Sequence, residues 1–503
     1  MTDRLSDEVL LGLSQTVAQQ TGLHFGRERW TDLERGIRSA AGKLGCPDAE
    51  SCVRRLMSAP LTRRETEILA GELTVGETYF FREKRSFEIL SEQILPEIAR
   101  LRQNAERRLR IWSAGCCTGE EPYSIAILLD RILPDARHWQ VTILGTDINP
   151  RFLQKAAAGV YSEWSFRDSP SWLKERYFKQ VDAKHYEILP SIKEKVVFSY
   201  LNLAEDGYPS LATNTNAMDL IFCRNVLMYF SPEKARHAIG NFRRSLVGKG
   251  WLIVSPTEMS SELFGRYQSV PFDGVTFYRK DESSSSAPTL PRTAGGPVVG
   301  WSDAKLIVAP PPLYDFTPAP PVSIQEPAVE TVAADSVQTP YEEALAFFNQ
   351  GNYEQAARTL EADGDSSPPA PESAALLARI CANRGELVQA RAWAEKGLDA
   401  DKLNPGLHYL NAIILEEQGM MEEAQAALKR TVYLDPNFVL AHFSLGNCAL
   451  REKKFKEAGR HFANTRTLLN AYQPNEVLPQ SDGLVAGRLR EMVESAMAME
   501  KAA

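Results

Sequence analysis

The chain has 503 residues, enough for roughly two to four domains, and its 65 acidic against 57 basic side chains leave a net charge of -8, which argues against wholesale nucleic-acid binding. Seven scattered cysteines, an odd number, suggest neither a disulfide framework nor a zinc-ligand spacing, so no metal is expected. The first residues, MTDRLSDEVL, carry acids where a secretory signal has a basic end and an apolar core, and no run reaches the ~18 apolar residues of a membrane span, so a cytoplasmic protein without membrane insertion is expected.

Residues 1–75 read as a helical domain. Val9, Leu10, Leu13 and Val17 recur at helical spacing, as do Trp30, Leu33 and Ile37, and then Val53, Leu56 and Met57. Arg27, Arg29, Arg35, Arg38, Lys43, Arg54, Arg55, Arg63 and Arg64 make this region basic. Such a region is either a positive face for an acidic partner or a solvated helix surface. Residues 74–87, TVGETYFFREKRSF, mix aromatics with Thr78 and Arg82 behind Gly76. The mixture is odd for a simple helix. It suits a segment covering a ligand, with Arg82 pairing a ligand carboxylate.

The chain is organised around residues 110–130, RIWSAGCCTGEEPYSIAILLD. A short apolar strand turns through Gly115 and Gly119 and restarts as an apolar-periodic helix, with Pro122 near its first turn. In a parallel α/β sheet such a turn lies at the carboxyl ends of the strands, where ligands bind, and glycine lets a ligand approach the backbone. The turn is neither a P-loop nor the dinucleotide fingerprint. Two acids, Glu120 and Glu121, follow it and would repel a pyrophosphate. They suit a ligand with a positive charge and hydroxyl or amine donors, such as S-adenosylmethionine, or they are solvated acids at a helix dipole. The turn alone leaves both readings open.

A second strand, 141–145, ends in Asp147, placed to accept hydrogen bonds from ribose hydroxyls or to cap the next helix. Residues 159–195, rich in Trp and Tyr, interrupt the βα rhythm as a small β-rich insertion. Strands follow at 196–200, leading into Asn202 and Leu203, and at 218–222, leading into Arg224 and Asn225. Two more are expected at 251–254 and 275–278. The pattern predicts an α/β doubly wound, Rossmann-like domain over residues 76–280. Residues 281–340, rich in proline and serine, read as a disordered linker.

From residue 341 a repeat begins. Ala344, Ala378, Ala412 and Gly446 recur at a spacing of 34, as do Gly351, Gly385 and Gly419, and Ala356, Ala390, Ala424 and Ala458. That is the tetratricopeptide period. Pro405 and Pro436 are expected to end helices at the repeat borders. Residues 341–503 therefore read as an all-α solenoid with a capping helix at 487–499, whose concave surface binds a protein partner.

The segments GETYFFRE, WSAGCCTGEEPYSIAI, GTDIN, LNL and FCRNVLMYF, in this order, resemble the CheR family of chemotaxis receptor methyltransferases across residues 5–280. The resemblance implies an S-adenosylmethionine-dependent enzyme, with S-adenosylhomocysteine as product, that methyl-esterifies glutamate side chains on the cytoplasmic helices of methyl-accepting chemoreceptors. By motif match the cofactor contacts fall on Gly76, Thr78, Arg82, Gly115, Glu120, Asp147, Asn202, Leu203, Arg224 and Asn225, although the family often has Asn where this chain has Gly76. Arg224 and Tyr229 are the candidates to orient the incoming carboxylate. Members that dock a receptor pentapeptide do so through a glycine-containing loop, and residues 179–187 here have no glycine, so pentapeptide tethering is not expected. Fusion to repeats resembles the methyltransferases of alternative chemosensory pathways, with recruitment to receptor clusters through the repeats. A scaffold that has lost turnover and works through its repeats is the alternative of a different class. Methylation of a small molecule or nucleic acid is a third.

Overall fold

The computed structural model describes residues 5–102, 107–133, 138–281, 339–363 and 370–502, so the stretch read as a linker lies almost wholly outside the described residues. Helices α1 (Asp7–Thr21), α2 (Trp30–Lys43), α3 (Ala49–Ser58) and α4 (Arg63–Leu73) come first. Ser6, Asp48 and Thr62 cap three of them with side-chain oxygens. Their apolar faces meet in a core of Leu10, Leu13, Val17, Leu33, Ile37, Val53 and Leu56. The basic residues outside that core are mostly paired. Arg35 meets Asp32, Arg38 meets Glu34, Lys43 meets Glu72, Arg54 meets Glu50, and Arg55 meets Glu65. The positive face expected from the sequence is therefore largely neutralised on its own surface.

After α5 (Lys84–Ile89) and α6 (Leu95–Leu101), the chain enters a central sheet through β1 (Arg108–Ala114). Then come α7 (Glu120–Ile132), β2 (Gln140–Asp147) and α8 (Pro150–Ala158). β3 (Val160–Ser162), α9 (Trp172–Tyr177), β4 (Phe178–Gln180), β5 (His185–Ile188) and α10 (Pro190–Lys193) form the insertion. β6 (Val196–Tyr200), β7 (Met218–Phe222), α11 (Pro232–Ser245), β8 (Leu246–Ile253), β9 (Gln268–Phe272) and β10 (Val275–Arg279) complete this part. The seven-stranded sheet runs β6-β2-β1-β7-β8-β10-β9. Neighbours from β6 to β8 are parallel, and β10 lies antiparallel to both β8 and β9. Both faces are covered, so the middle of each inner strand is apolar, as in Ile111-Trp112 of β1, Ile143-Leu144 of β2 and Leu220-Ile221-Phe222 of β7. In β1, Ile111 packs into one core with Tyr123 and Phe222, while Trp112 packs into the opposite core with Tyr208 and Phe242. Burying each such side chain contributes about 1.5–3 kcal/mol.

The insertion is a three-stranded sheet, β3-β5-β4. Its hairpin turn needs no glycine, because the Asp182 carboxylate accepts from the Lys184 and His185 amides.

The carboxyl third pairs α12 (Pro340–Asn349) with α13 (Tyr353–Asp363), α14 (Pro371–Arg384) with α15 (Leu387–Ala400), α16 (Pro405–Glu417) with α17 (Met421–Leu434), and α18 (Val439–Arg451) with α19 (Phe455–Leu469); α20 (Ala486–Ala502) closes the array. Ala344, Ala378 and Ala412 are wholly buried, and a Cβ on Gly446 would come 2.5 Å from the Phe462 ring. Small residues at this period set the helix spacing. Pro405 corrects one expectation: it starts α16 behind the Asn404 cap rather than ending a helix, since proline's missing N–H costs nothing in a first turn.

The array docks on the seven-stranded sheet at the end where the parallel strands begin. Gly351, Gly385 and Gly419 all have positive φ at the turn inside a repeat. A Cβ there would meet Arg244, Arg108 and Gln140 respectively. Glu417 accepts from Arg108 at 3.0 Å and from Asn216 at 3.0 Å, and its carbonyl accepts from Gln140 at 2.8 Å. Leu211, from the loop before β7, joins the apolar cluster of Ala378, Tyr409, Leu410 and Leu478. α20 reaches the amino-terminal helices through Glu491 and Arg63, and Arg488 and Arg63 both lie over the Tyr200 ring.

Candidate active site

Strand order reverses at β1, whose neighbours are β2 and β7. The loops leaving these strands diverge there and open a cleft at their carboxyl ends. Its lining includes Thr78, Arg82, Gly115, Glu121, Asp147, Asn202, Leu203, Arg224, Asn225 and Tyr229. Residues from five separate stretches of the sequence thus converge on one cavity.

The glycine turn is strapped to the end of β2. The amides of Gly115 and Cys116 both donate to the Thr146 carbonyl, at 2.7 and 2.8 Å. Cys117 donates its amide to Asp147 Oδ2 at 2.9 Å, and Asn149 donates its amide to Oδ1 at 2.8 Å. Gly115 has φ +79°, and a Cβ there would lie 2.4 Å from Val226, so the turn admits only glycine. The Asp147 carboxylate keeps further lone pairs for a ligand. Burial pushes its pKa up to about 6, against the opposing backbone hydrogen bonds. A hydroxyl-bearing ligand that needs the ionised form should bind about tenfold more weakly at pH 5 than at pH 7. Titration of S-adenosylhomocysteine at the two pH values measures this, and a flat profile would remove Asp147 from the contact.

Of the two acids after the turn, the family resemblance implies Glu120 as the ligand contact; the structure turns it away from the cleft, whose lining holds Glu121 instead. Glu120 accepts from Thr118 Oγ1 at 2.6 Å and from Ser165 Oγ at 2.9 Å, beneath the insertion. Successive helix positions differ by about 100°, so Glu121 is the one that faces the cleft. It accepts from Ser113 Oγ at 2.7 Å and from Arg224 at 3.0 Å.

Arg224 also departs from its expected part. Its guanidinium is buried, ion-paired with Glu83 at 2.9 Å and Glu121 at 3.0 Å, and it donates to the Arg82 carbonyl. Held by two carboxylates, it pins residues 82–83 to α7 and has little charge left for a substrate. Phe81 and Glu83, both at positive φ, give this segment its non-helical path before α5.

Gly76 does not line the cleft. Phe152 does, and a Cβ on Gly76 would come 2.6 Å from its ring, so glycine here makes room for the aromatic wall. Asn202 spends its amide nitrogen on the Gln20 carbonyl and on Glu205, tying α1 to the sheet, while its oxygen accepts from the Ala204 amide.

Two features escaped sequence reading. Glu258 accepts from the amides of Asn225, Val226 and Met228 at 2.7, 2.7 and 3.2 Å, and so shapes the loop that presents Asn225 and Tyr229. Its signal was the Ser-x-x-Glu capping box after β8. Thr21, Leu23, His24, Phe25 and Arg29 form a wall of the cleft. Leu23 bridges Phe230, and His24 donates its amide to the Tyr229 carbonyl. The Arg29 guanidinium lies 4.8 Å from the Phe25 ring centre and 5.4 Å from that of Tyr229.

Residues 76–273 match the family model for the CheR methyltransferase SAM-binding domain, and residues 341–405 and 409–464 match a tetratricopeptide repeat model. A protein named Chemotaxis protein methyltransferase from Borreliella burgdorferi is 37% identical over 193 residues, 38% of this chain and 66% of that protein. Chemotaxis protein methyltransferase 2 of Vibrio cholerae is 34% identical over 222 residues, covering 44% of this chain and 75% of the relative. The Probable biofilm formation methyltransferase WspC of Pseudomonas aeruginosa is 27% identical over 421 residues, 82% of this chain and 88% of the relative.

Proposed function

The chain belongs to the CheR family of chemotaxis protein methyltransferases, and from that premise we propose that it methylates glutamate side chains of methyl-accepting chemoreceptors, as the adaptation enzyme of a chemosensory pathway. The observation that supports this best is the cleft itself, with a buried carboxylate at the end of β2 and a cation on the facing wall. Asp147 suits ribose hydroxyls, and the Gly115 turn leaves room for a ligand against the backbone. Arg224 is consumed by Glu83 and Glu121, which leaves Arg82 and Arg29 as the guanidiniums of the cleft lining with charge for a ligand. This donor set fits S-adenosylmethionine, with Arg82 toward its carboxylate and Asp147, Leu203 and Asn225 around its nucleoside. When bound, it supplies an electrophilic methyl group on a sulfonium.

The chain's own residues then have modest work. A glutamate carboxylate is ionised at neutral pH, so no general base is needed. Its charge must be guided without being held too tightly. Arg29 has no carboxylate partner among the described residues and rests between two aromatic rings, so we assign it, with the Tyr229 hydroxyl, to orient the incoming side chain. Phe25, Phe152 and Leu203 exclude water, and alignment in a dry cleft supplies most of the acceleration. The repeats, with their protein-binding architecture, would recruit a protein partner and hold the enzyme near receptor clusters in the cytoplasm. Among the described residues no helix is long and apolar enough to cross a membrane.

Labelled methyl groups should pass from S-adenosylmethionine to a receptor's cytoplasmic helices as base-labile esters. Arg29→Ala should raise KM for the receptor by about tenfold and leave cofactor affinity unchanged. Label that resists base would rule out a glutamate ester, and an unchanged KM would free Arg29 of the role.

A further inference from the structure

A second cavity, of about 480 Å³, lies where the repeats meet the beginning of the sheet, far from the cleft at the opposite strand ends. Its walls are Arg107, Arg108, His138 and Gln140 from the catalytic part, and Val388, Arg391, Gln418 and Met420 from α15 and the turn after α16. Three arginines and a histidine line it, and among the described residues no carboxylate does.

Among the described residues acids offset part of this charge, since Glu417 pairs with Arg108 and Glu395 with Arg391. Glu417 is fully engaged by Arg108 and Asn216. Arg108 uses one nitrogen for that bond, and its Nε and second terminal nitrogen are buried with no acceptor. Arg391 pairs through Nε with Glu395, and one of its terminal nitrogens faces only the soft Met420 sulfur. Arg107 has no ion pair among the described residues. Arg107 and Arg391 thus present guanidinium donors to a space of small-molecule size. Planar guanidinium forks match phosphate oxygens two at a time. Val388 and Met420 add an apolar wall.

We propose that this cavity binds a small phosphate-bearing molecule, gripped by Arg107 and Arg391, which bridges the catalytic sheet and the repeat array. Because its walls come from both parts, occupancy favours the docked arrangement over an undocked one. The site would make the position of the repeats responsive to a soluble anion. The proposal does not depend on the methylation reading, since it uses none of the cleft residues.

The test uses the full chain saturated with S-adenosylhomocysteine, which removes the cleft as a binding site for adenine compounds. Pyrophosphate and ADP are titrated by calorimetry, with thermal unfolding followed in parallel. Saturable binding of either is expected, with a rise in Tm. Binding by pyrophosphate alone assigns the site to the phosphates, and a preference for ADP adds the apolar wall. Arg107→Ala and Arg391→Ala, both at solvent-reachable positions, should each weaken binding by about tenfold or more, and Arg35→Ala on α2 should not. The proposal falls if neither compound saturates, or if all three variants bind like the parent.

Discussion

Replacing Asp147 with alanine should lower affinity for S-adenosylhomocysteine by about a hundredfold, as loss of charge-assisted hydrogen bonds worth about 1.5–3 kcal/mol each predicts. The residue acts at two levels. Its oxygens accept the Cys117 and Asn149 amides and so fix the glycine turn to the end of β2. Its remaining lone pairs face the cleft. Asp147→Asn keeps one acceptor and should cost about tenfold. The two variants should also separate binding from stability. The pKa in the fold is about 6 against an ordinary 3.8, so stability tied to the protonated form is complete below about pH 4 and lost as pH rises through 6. At neutral pH the buried charge therefore costs the fold about 3 kcal/mol. Removing it offsets the lost amide bonds, and Asp147→Asn should unfold within a few degrees of the parent while binding poorly. Calorimetric titration and thermal unfolding read the two quantities. Full affinity in Asp147→Ala would place the nucleoside elsewhere.

The largest stability effect is expected at Glu417, remote from the cleft. The Arg108 and Glu417 side chains are 3% and 7% exposed. Glu417→Ala strands a guanidinium between two packed parts of the chain, at a cost of about 3–5 kcal/mol. It also leaves the Asn216 amide without its acceptor. The loss should appear as an early unfolding step, because the chain has several cores and need not melt as one unit. A buried ion pair owes little net stability to its charges, since desolvation offsets most of the attraction. Arg108→Met combined with Glu417→Leu should therefore recover most of what Glu417→Ala loses. If the single variant melts like the parent, the array is not held by this latch.

Much of the cleft was legible in the sequence, because its elements are local. A strand, a glycine turn and a helix can be read from one run of residues, and the acid ending β2 from the next. The step from Glu120 to Glu121 was not legible. Both acids start the same helix, and only the path of the chain after Gly119, which has φ +93°, decides which one faces the ligand. The wall contributed by Phe25 and Arg29 was hidden for another reason. It meets Tyr229 across some two hundred residues of chain, and no periodicity reports such a pairing. The repeat glycines show both cases at once. Their spacing announced a turn, and positive φ at Gly351, Gly385 and Gly419 is the local reason. Their approach to Arg244, Arg108 and Gln140 is a second reason, set by docking to another part of the molecule. The charged amino-terminal surface stayed open between two readings because composition counts arginines without showing the carboxylates that pair with them.

The most direct measurement is an experimental structure of the full chain grown with S-adenosylhomocysteine. The ligand should lie among the carboxyl ends of β1, β2 and β7, with its ribose hydroxyls within hydrogen-bond distance of Asp147 and its carboxylate toward Arg82. A ligand bound away from these strand ends, or one that leaves the Asp147 carboxylate without a contact, would contradict the account.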